Sequence, residues 1–331
     1  MSWGRGVTAP EKDHVSLATP TVVYIAGSGR SGSTLLERVV GAVPGYANVG
    51  ELLDLPRRVA PADEMCGCGR PFSACPFWTG VGQRGLDGWS APLLKEMHAR
   101  QASAARQRFL PQLLLSPARS TFGRKVDAYV ASYAKVVAAV AAEADARYVV
   151  DASKWPAIAL ALHRGGVDVR VIHLVRDVRG VAHSLSKADI ERPHTTGATD
   201  VMFHNSPASG AARWLATQTE VDLMRARGVR VSRLAYADLV TDPKAALERT
   251  LGELDLQLPV GGLGHIDGST VELGPSHGLS GNPSRFRHGR TDLRPDDRWR
   301  EQMRGRDRML AATIGFPQLV RLRSATHLDA H

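Results

Sequence analysis

Val22-Val23-Tyr24-Ile25-Ala26-Gly27-Ser28-Gly29-Arg30-Ser31-Gly32-Ser33-Thr34-Leu35-Leu36 reads as an apolar strand, a glycine-rich turn and the first turn of a helix. β-branched and aromatic residues make up most of the strand, as in a buried sheet. Glycine serves where the backbone bends tightly or comes close to a ligand, and the amides at a helix start attract anions. The stretch therefore predicts a phosphate cradle at the head of an α/β fold.

Two motifs fit these letters. Gly27, Gly29 and Gly32 satisfy a dinucleotide fingerprint, with Glu51 near the place of its ribose-binding acid. Gly27, Gly32, Ser33 and Thr34 satisfy a P-loop in which Ser33 stands where that motif has lysine. Arg30 is the loop's one fixed cation. Together with the hydroxyls of Ser33 and Thr34 it suits a multiply charged terminal group better than the pyrophosphate of a hydride carrier. The missing lysine argues against an ordinary NTPase, where that side chain neutralises the β- and γ-phosphates.

The loop resembles the 5′-phosphosulfate loop of sulfotransferases that use 3′-phosphoadenosine 5′-phosphosulfate (PAPS). Arg30-Ser31-Gly32-Ser33-Thr34 follows that family's pattern of a cation, a hydroxyl residue, glycine and two hydroxyl residues. A second similarity is the strand Val169 to Val175 leading into Arg176 and, further on, Ser184, the pair that holds the 3′-phosphate in the family. A third is His277-Gly278-Leu279-Ser280-Gly281-Asn282-Pro283-Ser284-Arg285-Phe286, which is similar to a cofactor-closing segment of bacterial members. The resemblance runs from about Thr21 to Arg294. It implies that PAPS is the donor and PAP the product, with Gly29, Arg30, Ser31, Gly32, Ser33, Thr34, Arg176, Ser184 and Arg285 binding it. It also implies sulfuryl transfer to a hydroxyl of a small-molecule, saccharide or lipid-linked acceptor. A nicotinamide oxidoreductase or a P-loop kinase using the same loop is the alternative.

The rest of the chain is compatible with that reading. Its 331 residues suffice for one large α/β domain with a substantial core. A net charge of +9 suits an enzyme that handles anions. The basic residues are scattered, without a basic run or interleaved aromatics, which speaks against a nucleic-acid surface. Peripheral contact with an anionic membrane stays open, as does the oligomeric state. No stretch has the apolar length of a membrane span, and Met1 to Pro20 lacks the apolar core of a secretory signal, so a cytoplasmic location is expected.

The expected fold is a P-loop-like doubly wound parallel sheet flanked by helices, with a mostly helical insertion on the substrate side. Strands are expected at Thr21 to Ala26, Ala47 to Leu52, Arg147 to Ala152, Val167 to Val175 and Val229 to Leu234. Helices are expected at about Ser33 to Val43, Val126 to Ala146, Ala157 to His163, Ala208 to Arg227 and Pro243 to Leu254, the last capped by Asp242. Residues 1–20 read as a mobile arm, 21–320 as one domain and 321–331 as a tail. The insertion covers about 56–124, and lid-like loops fall at about 189–207 and 259–295.

By analogy with phosphoryl transfer, catalysis should be positioning and charge stabilisation, with no metal in the reaction. Arg30 would neutralise the bridging oxygen as the bond breaks. Glu51, just past the second strand, is the expected general base, with pairing to Arg57 or Arg58 as its structural alternative. Lys154 follows another strand end, where cytosolic members place a histidine and other branches a lysine. There it would hold a sulfonate oxygen, since lysine is a cation at its ordinary pKa. His173 reads as buried and hydrogen-bonded, Trp214 as core, and Tyr236 to Leu239 as a structural turn. His194 and His204 fall in a loop where either could meet substrate.

All three cysteines fall in the insertion, as Cys66-Gly67-Cys68 and Cys75. They are read as reduced packed thiols or one local disulfide. Zinc with a fourth ligand such as His98 is the alternative, because paired CxxC spacing is absent.

Overall fold

A computed structural model describes residues 19–187, 191–192, 200–201 and 204–323. The arm at 1–18, most of the expected loop at 189–207 with His194, and the tail from 324 lie outside the described residues. The quoted stretch forms strand β1 (Thr21–Gly27) and helix α1 (Ser33–Gly41). They are followed by β2 (Tyr46–Gly50), the insertion helices α2 (Pro76–Gly85), α3 (Ala91–Ala104) and α4 (Leu110–Leu115), and the long α5 (Thr121–Ala144). Then come β3 (Tyr148–Lys154), α6 (Pro156–Arg164), β4 (Val169–Val175), α7 (Val178–Leu185), α8 (Pro207–Ala226), β5 (Arg230–Ala235), α9 (Tyr236–Thr241) and α10 (Pro243–Glu253). Pro76, Pro156, Pro207 and Pro243 each open a helix, where the lost N–H has no intrahelical partner. The Asp242 side chain caps α10 by accepting from the Ala245 N–H at 3.1 Å.

The five strands form one parallel sheet in the order β2-β3-β1-β4-β5. Alternation along each strand separates two cores. Val22, Tyr24 and Ala26 of β1 join Val49, Val149 and Val171 against α5, α6, α8 and the insertion helices. Val23 and Ile25 join Val150, Ile172 and Leu234 against α1, α9 and α10. Chain connections leave β1 and β4 in opposite directions, so the crevice at their C-terminal ends is where an open α/β sheet binds ligands.

The structure corrects three expectations. β2 stops at Gly50, whose φ of 75° turns the chain out of the strand before Glu51 and Leu52. The span 259–295 is not a bare loop: β6 (Ile266–Asp267), β7 (Thr270–Leu273) and β8 (Gly289–Asp292) form an antiparallel sheet within it. Beyond it, α11 (Trp299–Gln302) and α12 (Gly305–Arg323) complete the described chain, so helix continues into the expected tail. Among the described residues, no helix is long and apolar enough to cross a membrane.

Candidate active site

Each strand of the sheet delivers one polar side chain to the same edge. Arg30 follows β1, Glu51 follows β2, Lys154 ends β3, Arg176 follows β4 and Tyr236 follows β5. They line a cleft of about 670 Å³ that also takes in Ser184 and residues around Gly281 and Arg294. That volume is in the ordinary range for a small-molecule site. Seven of the lining residues are arginine or lysine and three are acidic, so the cleft attracts anions.

The cradle is shaped by what is missing from it. Gly32 has φ of 100°, and a Cβ there would stand 2.7 Å from the Tyr236 ring. Glycine is thus required both by conformation and by the close approach of the ring. Gly32 leads directly into α1, whose first amides have no acceptor within the helix and face an incoming anion.

The β1 loop and the β4 end are joined to each other. Arg30 adopts a left-handed conformation, φ 69°, which turns its carbonyl toward Arg176; the Arg176 guanidinium donates to it at 3.1 Å. Arg30 Nε donates to Ser184 Oγ at 3.1 Å. The Arg176 guanidinium also lies 5.1 Å from the centre of the Tyr236 ring and 3.0 Å from the Asp296 carboxylate. Hydrogen bonds from Arg298, and then the charge of Arg176, hold the Asp296 carboxyl far below the usual carboxylate range. Trp214 is buried in the core as expected, and its indole N–H fixes the backbone by donating to the Arg176 carbonyl at 2.9 Å.

Glu51 and Lys154, expected as separate candidates, form one ion pair, with Lys154 Nζ 2.5 Å from Glu51 Oε1. Arg57 and Arg58, the partners considered for Glu51 from the sequence, pair with Asp54 instead. Lys154 is also left-handed, φ 71°. Beneath it, buried Asp151 accepts from Ser153 N–H at 2.8 Å, Ser153 Oγ at 2.5 Å and Tyr133 OH at 2.7 Å, which fixes the end of β3. Burial pushes the Asp151 carboxyl up to about 6 in spite of those bonds. On the other side, Glu51 N–H donates to the Leu279 carbonyl at 2.9 Å, and Leu279 N–H donates to Val49 at 2.9 Å. Among the described non-glycine residues with positive φ, four are aspartates, which tolerate that region. The other three, Arg30, Lys154 and Ser280, all belong to segments bordering the cleft, where strained backbone often marks function.

A model of the sulfotransferase family matches residues 20–259. The chain belongs to the sulfotransferase family. Sulfotransfer is accordingly its general activity. Among solved structures it is similar to the sulfotransferase domain of the Synechococcus PCC 7002 olefin synthase, with 21% identity over 93% of this chain and 98% of that one, TM-score 0.47. It is also similar to the sulfotransferase domain from the curacin biosynthetic pathway, with 16% identity over 89% and 96%, TM-score 0.49. A sulfotransferase from Alicyclobacillus acidocaldarius shares 12% identity over 94% and 97%, TM-score 0.40. No curated protein sequence matches the chain.

In this sulfotransferase Gly29, Arg30, Gly32, Ser33, Thr34, Glu51, Lys154, Arg176 and Ser184 all line the cleft. Ser31 and Arg285 do not. Ser31 is buried beneath the loop. Arg285 is buried too, donating to the carbonyls of Gly281 at 3.3 Å and Met65 at 3.2 Å, so it anchors the closing segment from behind. Burial lowers its pKa from the ordinary arginine value.

Sequence reasoning missed Arg38, Arg287, Arg294, Arg298 and Tyr236, all of which line the cleft. Arg38 sits one helical turn past Thr34, so helical spacing could have found it. It donates to the carbonyls of Ser284 at 3.0 Å and Gly274 at 3.1 Å. The other arginines come from a stretch with six arginines between 285 and 300, a density that was a usable signal. Tyr236, read as part of a structural turn, opens α9 and forms a wall of the cleft. His183 contacts Gln302 at 3.3 Å, and His204 is exposed. His173 is buried as read and faces the Gln218 side chain; burial lowers its pKa to about 3 and keeps it neutral.

Proposed function

We propose that this sulfotransferase takes PAPS as donor, moves its sulfuryl group to a hydroxyl of a small-molecule, saccharide or lipid-linked acceptor, and releases PAP. The observation that supports this most directly is the junction of two anion sites, in which Arg30 touches both Arg176 and Ser184. A donor with phosphate-like groups at two ends needs such a pair, whereas a simple nucleoside triphosphate needs only one cradle. The residues fit that donor: a Cβ-free turn at Gly32, the start of α1 beside it, and cations on several walls of the cleft.

Gly29, Gly32, Ser33 and Thr34 bind the 5′ end, and Arg176 and Ser184 bind the 3′-phosphate. Ser31 supports the loop from below. Bound PAPS supplies an activated sulfuryl group with a phosphate leaving group. Arg30 neutralises charge on the leaving oxygen. Glu51 is the general base: Oε1 is held by Lys154 and Oε2 takes the acceptor's proton. Lys154 orients that carboxylate and offers a cation to the transferring oxygens. A cytoplasmic location follows from the reading, since that is where this donor is made.

Melting the pure protein with PAP, NAD or ATP tests the donor. PAP alone should stabilise it, by about 2.7 kcal/mol at a hundredfold excess over Kd. Stabilisation by NAD or ATP in place of PAP overturns the proposal. Incubating isotopically labelled PAPS with host metabolite extract then identifies the acceptor as a new sulfate ester by mass.

A further inference from the structure

The cysteines of the insertion meet a histidine that lies far away in the chain. Cys75 Sγ is 3.6 Å from Cys66 Sγ and 3.7 Å from Cys68 Sγ. His277 Nδ1 is 3.3 Å from Cys75 Sγ and 3.7 Å from Cys66 Sγ. All four donor atoms lie within 4.8 Å of one another. A disulfide needs sulfurs about 2.05 Å apart, so the thiols are crowded without being bonded. A tetrahedral ion with metal–sulfur bonds of about 2.3 Å and a metal–nitrogen bond of about 2.0–2.1 Å separates its ligands by roughly 3.5–3.8 Å, close to the four separations of 3.3, 3.6, 3.7 and 3.7 Å given above.

We propose that Cys66, Cys68, Cys75 and His277 Nδ1 bind one structural zinc ion. Three sulfurs and one imidazole nitrogen form a closed tetrahedral donor set, which selects zinc and leaves no position for substrate. His98, the fourth ligand considered from sequence, is not part of the cluster.

The surroundings hold the ligands in place. Gly69 N–H donates to the Cys66 carbonyl at 2.9 Å, folding the two nearer cysteines into a tight turn. Trp78 Nε1 donates to the His277 carbonyl at 2.9 Å, and the Phe77 ring stacks on the imidazole with centroids 4.6 Å apart.

The ion's role follows from what it ties together. Gly67 N–H donates to the Gly278 carbonyl at 3.0 Å, Leu279 bonds Val49 of β2 and Glu51 just past it, and Asn282 N–H donates to Thr34 Oγ1 at 3.2 Å. The metal therefore clamps the closing segment onto the insertion and so sets the cleft wall beside Glu51 and Thr34. None of the four ligands lines the cleft, which makes the site structural and independent of the donor's identity.

The test is metal analysis of the full wild-type chain, purified without chelator from zinc-containing medium. One zinc per chain is expected, released when a mercurial reagent titrates the thiols. Cobalt replacement should give thiolate charge-transfer absorption and the intense visible bands of a tetrahedral ion, which a surface-bound ion would not. Stripping the metal with a strong chelator should lower the melting temperature and open the 276–286 segment to proteolysis. Cys68→Ser and His277→Ala, which each remove a direct ligand, should weaken zinc retention in chelator competition by at least the roughly tenfold seen when a ligand's outer partner is lost. Folded wild-type protein that is metal-free with three titratable thiols, or that carries a disulfide by mass, overturns the proposal. Loss of PAP binding alone would bear on the proposed donor and leave the zinc result standing.

Discussion

Glu37→Gln isolates a buried proton that couples pH to the stability of the fold beside the site. Glu37 lies on α1 with its side chain almost fully buried, and its Oε1 accepts from Asn48 Nδ2 at 2.9 Å and from Gly50 N–H at 2.8 Å. Gly50 immediately precedes Glu51. Burial pushes the Glu37 carboxyl from its ordinary 4.5 up to about 7, outweighing the two hydrogen bonds, which act the other way. The native state thus holds this proton more tightly than the unfolded chain does. Its stabilising effect is complete below pH 4.5 and is lost as pH rises to about 7. At about 1.4 kcal/mol per pH unit across that window, the loss is on the order of 3 kcal/mol. For a chain of this size that corresponds to roughly 4–5 °C in melting temperature. Glutamine keeps an oxygen for both donors and cannot ionise, so the Glu37→Gln curve should be flatter by that amount between pH 4.5 and 7. Asp151 titrates in both proteins and cancels in the comparison. Melting curves at half-unit pH steps provide the assay. Parallel wild-type and Glu37→Gln curves would refute the reasoning, whatever constant offset the new amide introduces.

Three further outcomes are expected. Glu51→Gln should lower kcat by about 10²–10⁴-fold, the range for losing a general base, with PAP affinity changed only a few-fold; a loss confined to PAP binding contradicts the assigned role. Arg176→Ala should weaken PAP by roughly 10–100-fold in calorimetry, as expected when a charged hydrogen bond worth about 1.5–3 kcal/mol is lost. Gly32→Ala should destabilise the protein by about 1–3 kcal/mol in urea unfolding, because it combines a positive φ with a Cβ 2.7 Å from Tyr236. An unchanged midpoint would show that the ring moves aside freely.

Local patterns in the chain determined much of this protein. An apolar strand, a glycine turn and a hydroxyl-rich helix start specify a cradle wherever they occur, because backbone conformation and amide direction are local properties. The repeated strand and helix patterns likewise announced a parallel sheet; Glu51 and Lys154 could be named because each stands at a strand end, and Arg30 and Arg176 because they fall on motifs that resemble those of the family. Partnership was not local. Nothing in spacing links Glu51 to Lys154, or Arg30 to Ser184; these meet only because β1, β2, β3 and β4 end at one edge of the sheet. The same holds for the inward turn of Arg285, for Tyr236 against Gly32, and for His277 joining cysteines some 200 residues earlier. Sequence order carries short-range conformational preference, whereas which charges and ligands face one another is decided by packing across the folded chain.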